Sequence, residues 1–428
     1  MSRSPQLDRL SVLDLDTGCK EGVEEMNKGG RDQSFKEELP IPQTGRILYE
    51  KMATSDVYVP PGTPDVPYFQ IASPPKILPS PRETQASLKR SFEKYLATDN
   101  ASPAIGKLFR PFDHLAFEEP KHIHTMEDLG FSADSGVSPV AVSDPFHLFS
   151  EEAIDIMRSE ILDPEVLEKY SYTSDIAPRQ IRGYAPKHGK FVFEAWKHPE
   201  TLAIISKIAG VDLVPVIDYE IGHVNLSIPG DKKDHKDLGD EEDGGAIVGW
   251  HRDSYPFVCV LMMSDTTGMV GGETALRTGF GDIRKVRGPS KGCAVVLQGR
   301  YIDHQALSAF GGQERITMVT SFRPRSARIR DDTVLNTVRP ISNLSDLYGQ
   351  TIEYNLENAE SRIRHMLKNV RESMKAGSTD VESIKRFLDF EIKTMMHLNN
   401  EIVDEKLVTK GILGDVCTEA KMDKKRKL

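Results

Sequence analysis

Val248-Gly249-Trp250-His251-Arg252-Asp253-Ser254-Tyr255-Pro256-Phe257-Val258-Cys259-Val260-Leu261-Met262-Met263 is the stretch whose reading settles the fold. Its β-branched and aromatic residues predict a strand, part of a longer one over 246–263, with a bulge or break at Pro256. Residues two apart on a strand share a face. His251 and Asp253 therefore point the same way, and Tyr255, Phe257, Cys259 and Leu261 extend that face if the register survives the proline. An imidazole and a carboxylate heading an apolar strand face suit two metal ligands aimed into a cavity. A surface His–Asp pair at a strand end has the same spacing, and two residues alone leave both readings open.

Two elements downstream sharpen the choice. His304 follows Asp253 by 51 residues, just past the apolar run Cys293–Leu297. Two imidazoles and one carboxylate on one face make the facial triad of non-heme Fe(II) oxygenases, with positions left open for other ligands, whereas a cysteine-rich set would indicate zinc. Arg315 comes eleven residues after His304, on a predicted strand Arg315–Phe322. It shares a face with Thr317, while Ile316, Met318 and Phe322 share the opposite one. A guanidinium heading an inward face is costly to bury unpaired, and a carboxylate is its bidentate partner. An arginine paired with water or a surface acid is the plainer alternative.

The ordered set His251-x-Asp253, His304, Arg315-x-Thr317 resembles the Fe(II)/2-oxoglutarate-dependent dioxygenases. Gly271-Gly272-Glu273-Thr274 and the run Lys291–Leu297 before the distal histidine are similar to the prolyl-hydroxylase-like members. The resemblance covers roughly 146–325, with its specific motifs in 249–323. It departs from the family at Thr317, where serine is commoner, and in the acidic loop before His251. It implies a double-stranded β-helix (jelly-roll) core flanked by helices, which with the C-terminal helical hairpin predicted below makes an α+β chain. It further implies Fe(II) on His251, Asp253 and His304, 2-oxoglutarate with its distal carboxylate on Arg315 and Thr317, and O2 as second cosubstrate. Halogenating members carry a small residue in place of the carboxylate, so Asp253 favours hydroxylation or a related oxidation.

Weaker candidates surround this set. Asn225 shares a strand face with His223 and Ser227 and is a candidate for the 2-oxoglutarate carboxylate; a partly wetted strand face accounts for it equally well. Tyr255 and Arg277 are candidates for the substrate mouth, with ordinary packing the alternative for Tyr255. Arg323, beside Pro324, is expected to face solvent, and Tyr301 to pack beneath the histidine turn. Two other functions stay open on the residues: a cupin-like metal hydrolase or isomerase that does not use O2, and a non-enzymatic interaction module.

The rest of the 428-residue chain supplies context. Hydrophobic content of 38% and a mean hydropathy of −0.41 suit a soluble protein. Sixteen of the 26 prolines precede residue 146, so residues 1–97 read as a largely disordered or extended extension, with a short stripe at Leu88, Phe92 and Leu96. An oxygenase domain is expected over 98–330 and a helical region with a basic tail over 331–428. Helices are predicted after the Ser150 cap and from Pro199 to Gly210. Strands are expected over 211–221, 221–228, 273–278, 292–297 and 315–322. Apolar residues from Ile352 to Met374 recur at helical spacing, Gly377 stops that helix, and Thr379–Glu382 reads as a capping box for the next. The pair is expected to pack on the barrel exterior or on a second subunit.

Partners follow from composition. A formal charge of −10 argues against general nucleic-acid binding. No run of eighteen apolar residues and no apolar leader is present, so neither a membrane helix nor a secretory signal is expected. Four cysteines without CxxC spacing (Cys19, Cys259, Cys293, Cys417) fit a reducing, cytoplasmic setting, and Lys421–Leu428 reads as a solvated end or a nuclear-import signal. A small-molecule substrate is expected first and a protein side chain second.

Overall fold

The computed structural model describes residues 106–174, 177, 179–227, 246–286, 290–307, 309–310 and 314–412. The extension 1–97 with its Leu88 stripe, the acidic loop 231–243 and the basic tail lie outside the described residues.

The chain is a mixture of helices and antiparallel sheet. The first strands are β1 (Ile123–Thr125), β2 (Val140–Ser143), β3 (Phe146–His147), β4 (Ser171–Tyr172), β5 (Gln180–Ile181), β6 (Leu213–Pro215) and β7 (His223–Ser227). They are followed by β8 (Ala246–His251), β9 (Phe257–Met262), β10 (Val270–Gly271), β11 (Thr274–Arg277) and β12 (Ile283–Val286). The last are β13 (Cys293–Leu297), β14 (His304–Leu307), β15 (Ala309–Phe310) and β16 (Arg315–Pro324). The larger sheet runs β1-β2-β13-β9-β16-β7-β5-β4, with β3 on β13 and β6 on β16. The smaller sheet runs β12-β11-β14-β8, and β10 pairs with β15. From β7 onward the main strands alternate between the sheets: β7, β9, β13 and β16 in the larger, β8, β11, β12 and β14 in the smaller.

Period-two patterning decides which face of the larger sheet goes where. Val224 and Leu226 of β7, with Ile316, Met318 and Phe322 of β16, are buried against helical side chains that include Ile154, Phe191, Trp196 and Ile205. These come from α1 (Glu151–Ile161), α2 (Lys190–Lys197) and α3 (Pro199–Ala209). Ser150 caps α1 by accepting from the Ala153 amide, and Gly210 ends α3 in the left-handed conformation at φ 68°. The opposite face of the sheet meets the smaller one: Val258, Val295 and Leu297 pack with Leu276 and Val286. Asn225, Thr317 and Met262 are direct neighbours across β7, β16 and β9, on the face away from the helices.

Three expectations need correction. The strand over 246–263 is two strands in different sheets, and Arg252–Pro256 carries the chain between them. Pro256 cannot donate to a ladder, so the break falls there. The strand over 211–221 is only β6, followed by a 3₁₀ turn at Asp218–Glu220. Val216, Ile217 and Tyr219 are buried instead with Leu344, Leu347 and Tyr354 of a C-terminal helix. The capping box is displaced by one residue, since Asp380, not Thr379, is the N-cap and accepts from the Ser383 amide at 2.9 Å.

The C-terminal helices are α4 (Leu344–Lys375) and α5 (Val381–Glu401). Arg362 of α4 grips Glu391 of α5 through two hydrogen bonds of 2.5 and 2.9 Å. Leu344, Leu347, Tyr354 and Ala359 of α4 are buried, whereas Leu356, Ile363, Leu367, Met374, Leu388 and Ile392 are exposed in the single chain. Among the described residues no helix is long and apolar enough to cross a membrane.

Candidate metal centre

His251 is the last residue of β8, Asp253 sits in the crossing that follows, and His304 opens β14. β14 pairs antiparallel with β8 so that His304 lies directly opposite His251. Sheet register thus brings together residues that the chain separates. The two imidazole centroids are 4.4 Å apart. His251 Nε2 lies 3.6 Å from Asp253 Oδ1, and His304 Nε2 lies 3.6 Å from Asp253 Oδ2. Among the described residues this is the one His/Cys/Asp/Glu group whose ligand atoms all fall within 4.8 Å of one another.

Local hydrogen bonds set the tautomers. His251 Nδ1 is 2.7 Å from the Gly249 carbonyl and His304 Nδ1 is 2.9 Å from the Ile302 carbonyl. A carbonyl only accepts, so both Nδ1 atoms carry the proton and both Nε2 lone pairs face Asp253. The Asp253 amide donates to the Gly299 carbonyl at 3.0 Å, which ties the crossing to the turn before His304. That turn must be bare: a Cβ on Gly299 would lie 1.8 Å from Asp253 Oδ2.

Electrostatics follow from this enclosure. Burial pulls the His251 pKa down, but the Asp253 carboxylate more than reverses this and leaves it above the ordinary histidine value. At His304 burial prevails and the pKa is lowered. Burial raises the Asp253 pKa, and the two imidazoles lower it by more. Asp253 Oδ2 is nonetheless buried without a hydrogen-bond partner among the described residues. Two Nε2 lone pairs and a carboxylate oxygen left unsatisfied fit a divalent cation, and the N2O donor set fits Fe(II) with open positions.

Arg315 begins β16, on the same face of the larger sheet as Thr317. Among the described residues its Nε is buried without a partner, and one terminal nitrogen makes a long 3.5 Å contact to the Gly272 carbonyl. Burial lowers its pKa, and among the described residues no acid offsets the effect. Gly272, between β10 and β11, sits at φ 76°, a left-handed conformation that favours glycine. Asn225, across the ladder from Thr317, likewise has a buried Oδ1 without a partner among the described residues. A cation and an amide left open on one face form a receptor for an anion with several oxygens.

Other sequence candidates lie elsewhere. Arg277 points away from the cavity: it pairs with Asp303 at 2.6 Å and stacks 4.2 Å over the Trp250 ring. Arg323 does not face solvent but stacks on Tyr354 at 4.6 Å. Tyr255 is buried, with its hydroxyl donating to Glu220 Oε1 at 3.1 Å, and the Tyr301 hydroxyl donates to Asp332 at 2.9 Å. The sequence reading did not single out Arg182, which is buried and paired with Glu220. An isolated arginine carries no spacing signal, and the text around it, Arg179-Gln180-Ile181-Arg182-Gly183, is too polar to mark it as enclosed.

No family model matches the chain, and no curated protein matches its sequence. Among solved structures it is similar to an oxidoreductase of the 2OG-Fe(II) oxygenase family from Burkholderia pseudomallei, at 13% identity over 36% of this chain and 71% of that one, TM-score 0.27. It is also similar to a Pseudomonas putida prolyl-4-hydroxylase, at 17% identity over 43% of this chain and 92% of that one, TM-score 0.29. A third similar structure is a non-heme α-ketoglutarate-dependent epimerase of nogalamycin biosynthesis, at 13% identity over 42% of this chain and 79% of that one, TM-score 0.31. The functional reading below rests on this chain's own side chains.

Proposed function

We propose that this protein is an Fe(II)/2-oxoglutarate-dependent oxygenase built on a double-stranded β-helix. The alternation of β7, β8, β9, β11, β13, β14 and β16 between two facing sheets supports that fold. His251, Asp253 and His304 would hold the iron, and Arg315 with Thr317 and Asn225 would hold 2-oxoglutarate. The single observation that carries the reading is a guanidinium whose Nε is buried with no partner among the described residues, on the face of the larger sheet turned toward the smaller sheet and its unsatisfied His-Asp-His set. A metal hydrolase has no use for such an arginine, whose desolvation is a standing cost without an anionic ligand.

When bound, the iron supplies O2 activation coupled to oxidative decarboxylation of 2-oxoglutarate. The protein's own part is positional. Backbone carbonyls of Gly249 and Ile302 hold the imidazoles in the ligating tautomer. Gly299 leaves room for the carboxylate, and the apolar residues between the sheets keep water from the reacting centre. The substrate we propose is a small molecule, with a protein side chain as second class, undergoing hydroxylation or a related oxidation.

The test is anaerobic addition of 2-oxoglutarate to the Fe(II) protein. A metal-to-ligand charge-transfer band, with CO2 release on admitting O2, is expected, and both should vanish in His251→Ala and Asp253→Ala. Turnover that persists in either variant would exclude this assignment.

A further inference from the structure

His223 precedes Asn225 by one strand step, on the same face of β7. Its cross-ladder neighbour is Val319, two residues beyond Thr317 on β16. Two strand residues span about 7 Å, close to the spread between the outermost carboxylate oxygens of an extended five-carbon diacid. If Arg315 and Thr317 take one end of 2-oxoglutarate, His223 stands level with the other.

The chemistry of His223 is fixed from behind. Arg182 NH1 lies 3.2 Å from His223 Nδ1. A guanidinium has no lone pair to offer, so it donates and Nδ1 accepts. Nε2 must then carry the proton, and Nε2 is buried without a partner among the described residues. Arg182 is itself held: it pairs with Glu220, which also accepts from the Tyr255 hydroxyl at 3.1 Å. Tyr255 belongs to the crossing that carries Asp253, so the lock and the metal ligand share one five-residue segment. Burial, and then the Arg182 charge, hold the His223 pKa well below the ordinary value, so the ring is neutral.

The geometry points to His223 as a cosubstrate-positioning residue, whose Nε2–H donates to the keto-acid carboxylate of 2-oxoglutarate, with Arg182, Glu220 and Tyr255 fixing the tautomer that makes this donor. This rests on the oxygenase reading above and adds a residue to it. An ordinary structural histidine would have its second nitrogen satisfied inside the protein. This one is orphaned on the face that carries the orphaned Asn225 and Arg315 groups.

The experiment is calorimetric titration of the full chain, loaded with Mn(II) so that no turnover occurs. Two probes are used: 2-oxoglutarate, and levulinate, which has a methyl group where 2-oxoglutarate has its keto-acid carboxylate. His223→Asn keeps an acceptor for Arg182 and shortens the side chain so that no donor reaches the ligand. It is expected to weaken 2-oxoglutarate roughly ten- to a hundredfold, the usual worth of a hydrogen bond to a charged group, while changing levulinate displacement less than about twofold. His223→Gln, which restores a donor at the Nε2 position, should recover most of the loss. Equal weakening of both probes, or wild-type affinity for 2-oxoglutarate in His223→Asn, overturns the assignment and leaves the oxygenase reading standing. Failure of the wild type to bind 2-oxoglutarate overturns both. A measurement on unmutated protein guards against misfolded variants: ¹⁵N spectra of the Zn(II)-loaded chain should show His223 protonated at Nε2, with that resonance moving on addition of 2-oxoglutarate and not of levulinate. A ring protonated at Nδ1 would refute the lock.

Discussion

Asp253 has little freedom. Its amide is tied to Gly299, and its carboxylate lies where any side chain at 299 would go. Gly299→Ala is therefore expected to displace the carboxylate and weaken Mn(II) or Fe(II) binding by roughly 10–100-fold, the range seen when the support of a metal ligand is lost; equilibrium dialysis measures it. Arg315→Leu gives a contrast that separates a ligand-binding role from a structural one. With its Nε unpartnered among the described residues, the guanidinium should cost the free protein stability, so removal should raise chemical stability by about 1 kcal/mol or more, while 2-oxoglutarate affinity falls by about a hundredfold. A variant less stable than wild type would mean the arginine has an internal partner. These residues were legible because their chemistry depends on short, ordered spacings. Arg182 and Glu220 were not, since a buried pair from segments 38 residues apart leaves no local pattern.

At the scale of elements, alternation was read correctly where one face is apolar throughout, as on β7 and β16. It misled where apolar residues serve another purpose. Val216, Ile217 and Tyr219 look like strand and instead seat α4. The run 246–263 reads as one strand because both halves are β-prone, and only Pro256 shows where they part. Helix ends were legible from Ser150 and Gly210, because a cap is a one-residue device. The clasp of α4 and α5 rests on Arg362 and Glu391, both largely buried. Arg362→Ala should cost about 3–5 kcal/mol by stranding Glu391, whereas Arg362→Met with Glu391→Leu should be near neutral; urea denaturation distinguishes them. His114, buried between Phe109 and Phe191, makes the fold pH-sensitive. Its Nδ1 accepts from the Arg110 amide at 2.8 Å, and burial lowers its pKa. The unfolded chain therefore binds the proton more readily than the folded one, so this stability is complete above the ordinary histidine pKa of about 6.5 and is lost as pH falls from there through the lowered value. His114→Gln should show a shallower fall in stability between neutral and mildly acid pH; an unchanged slope would clear His114 of the effect.

At the scale of the molecule, the candidate ion would be held by the end of β8, the crossing after it and the start of β14. Ligand binding to the folded state alone stabilises by mass action, about 2.7 kcal/mol at a hundred times Kd. Adding Mn(II) should raise the thermal midpoint by several degrees, and a chelator should reverse this; an unshifted midpoint would mean the three ligands do not share an ion. The crossing Arg252–Pro256 has a further consequence. It is the strap by which the chain leaves the smaller sheet for the larger, and it also carries Asp253 and Tyr255. Without a cation, lone pairs crowd that strap at Asp253, and its tie to the turn before β14 rests on the Asp253–Gly299 backbone hydrogen bond, so it should breathe more, and be nicked by a protease sooner, than in the loaded protein. The supply of the candidate ion would then govern how long each copy of the chain lasts.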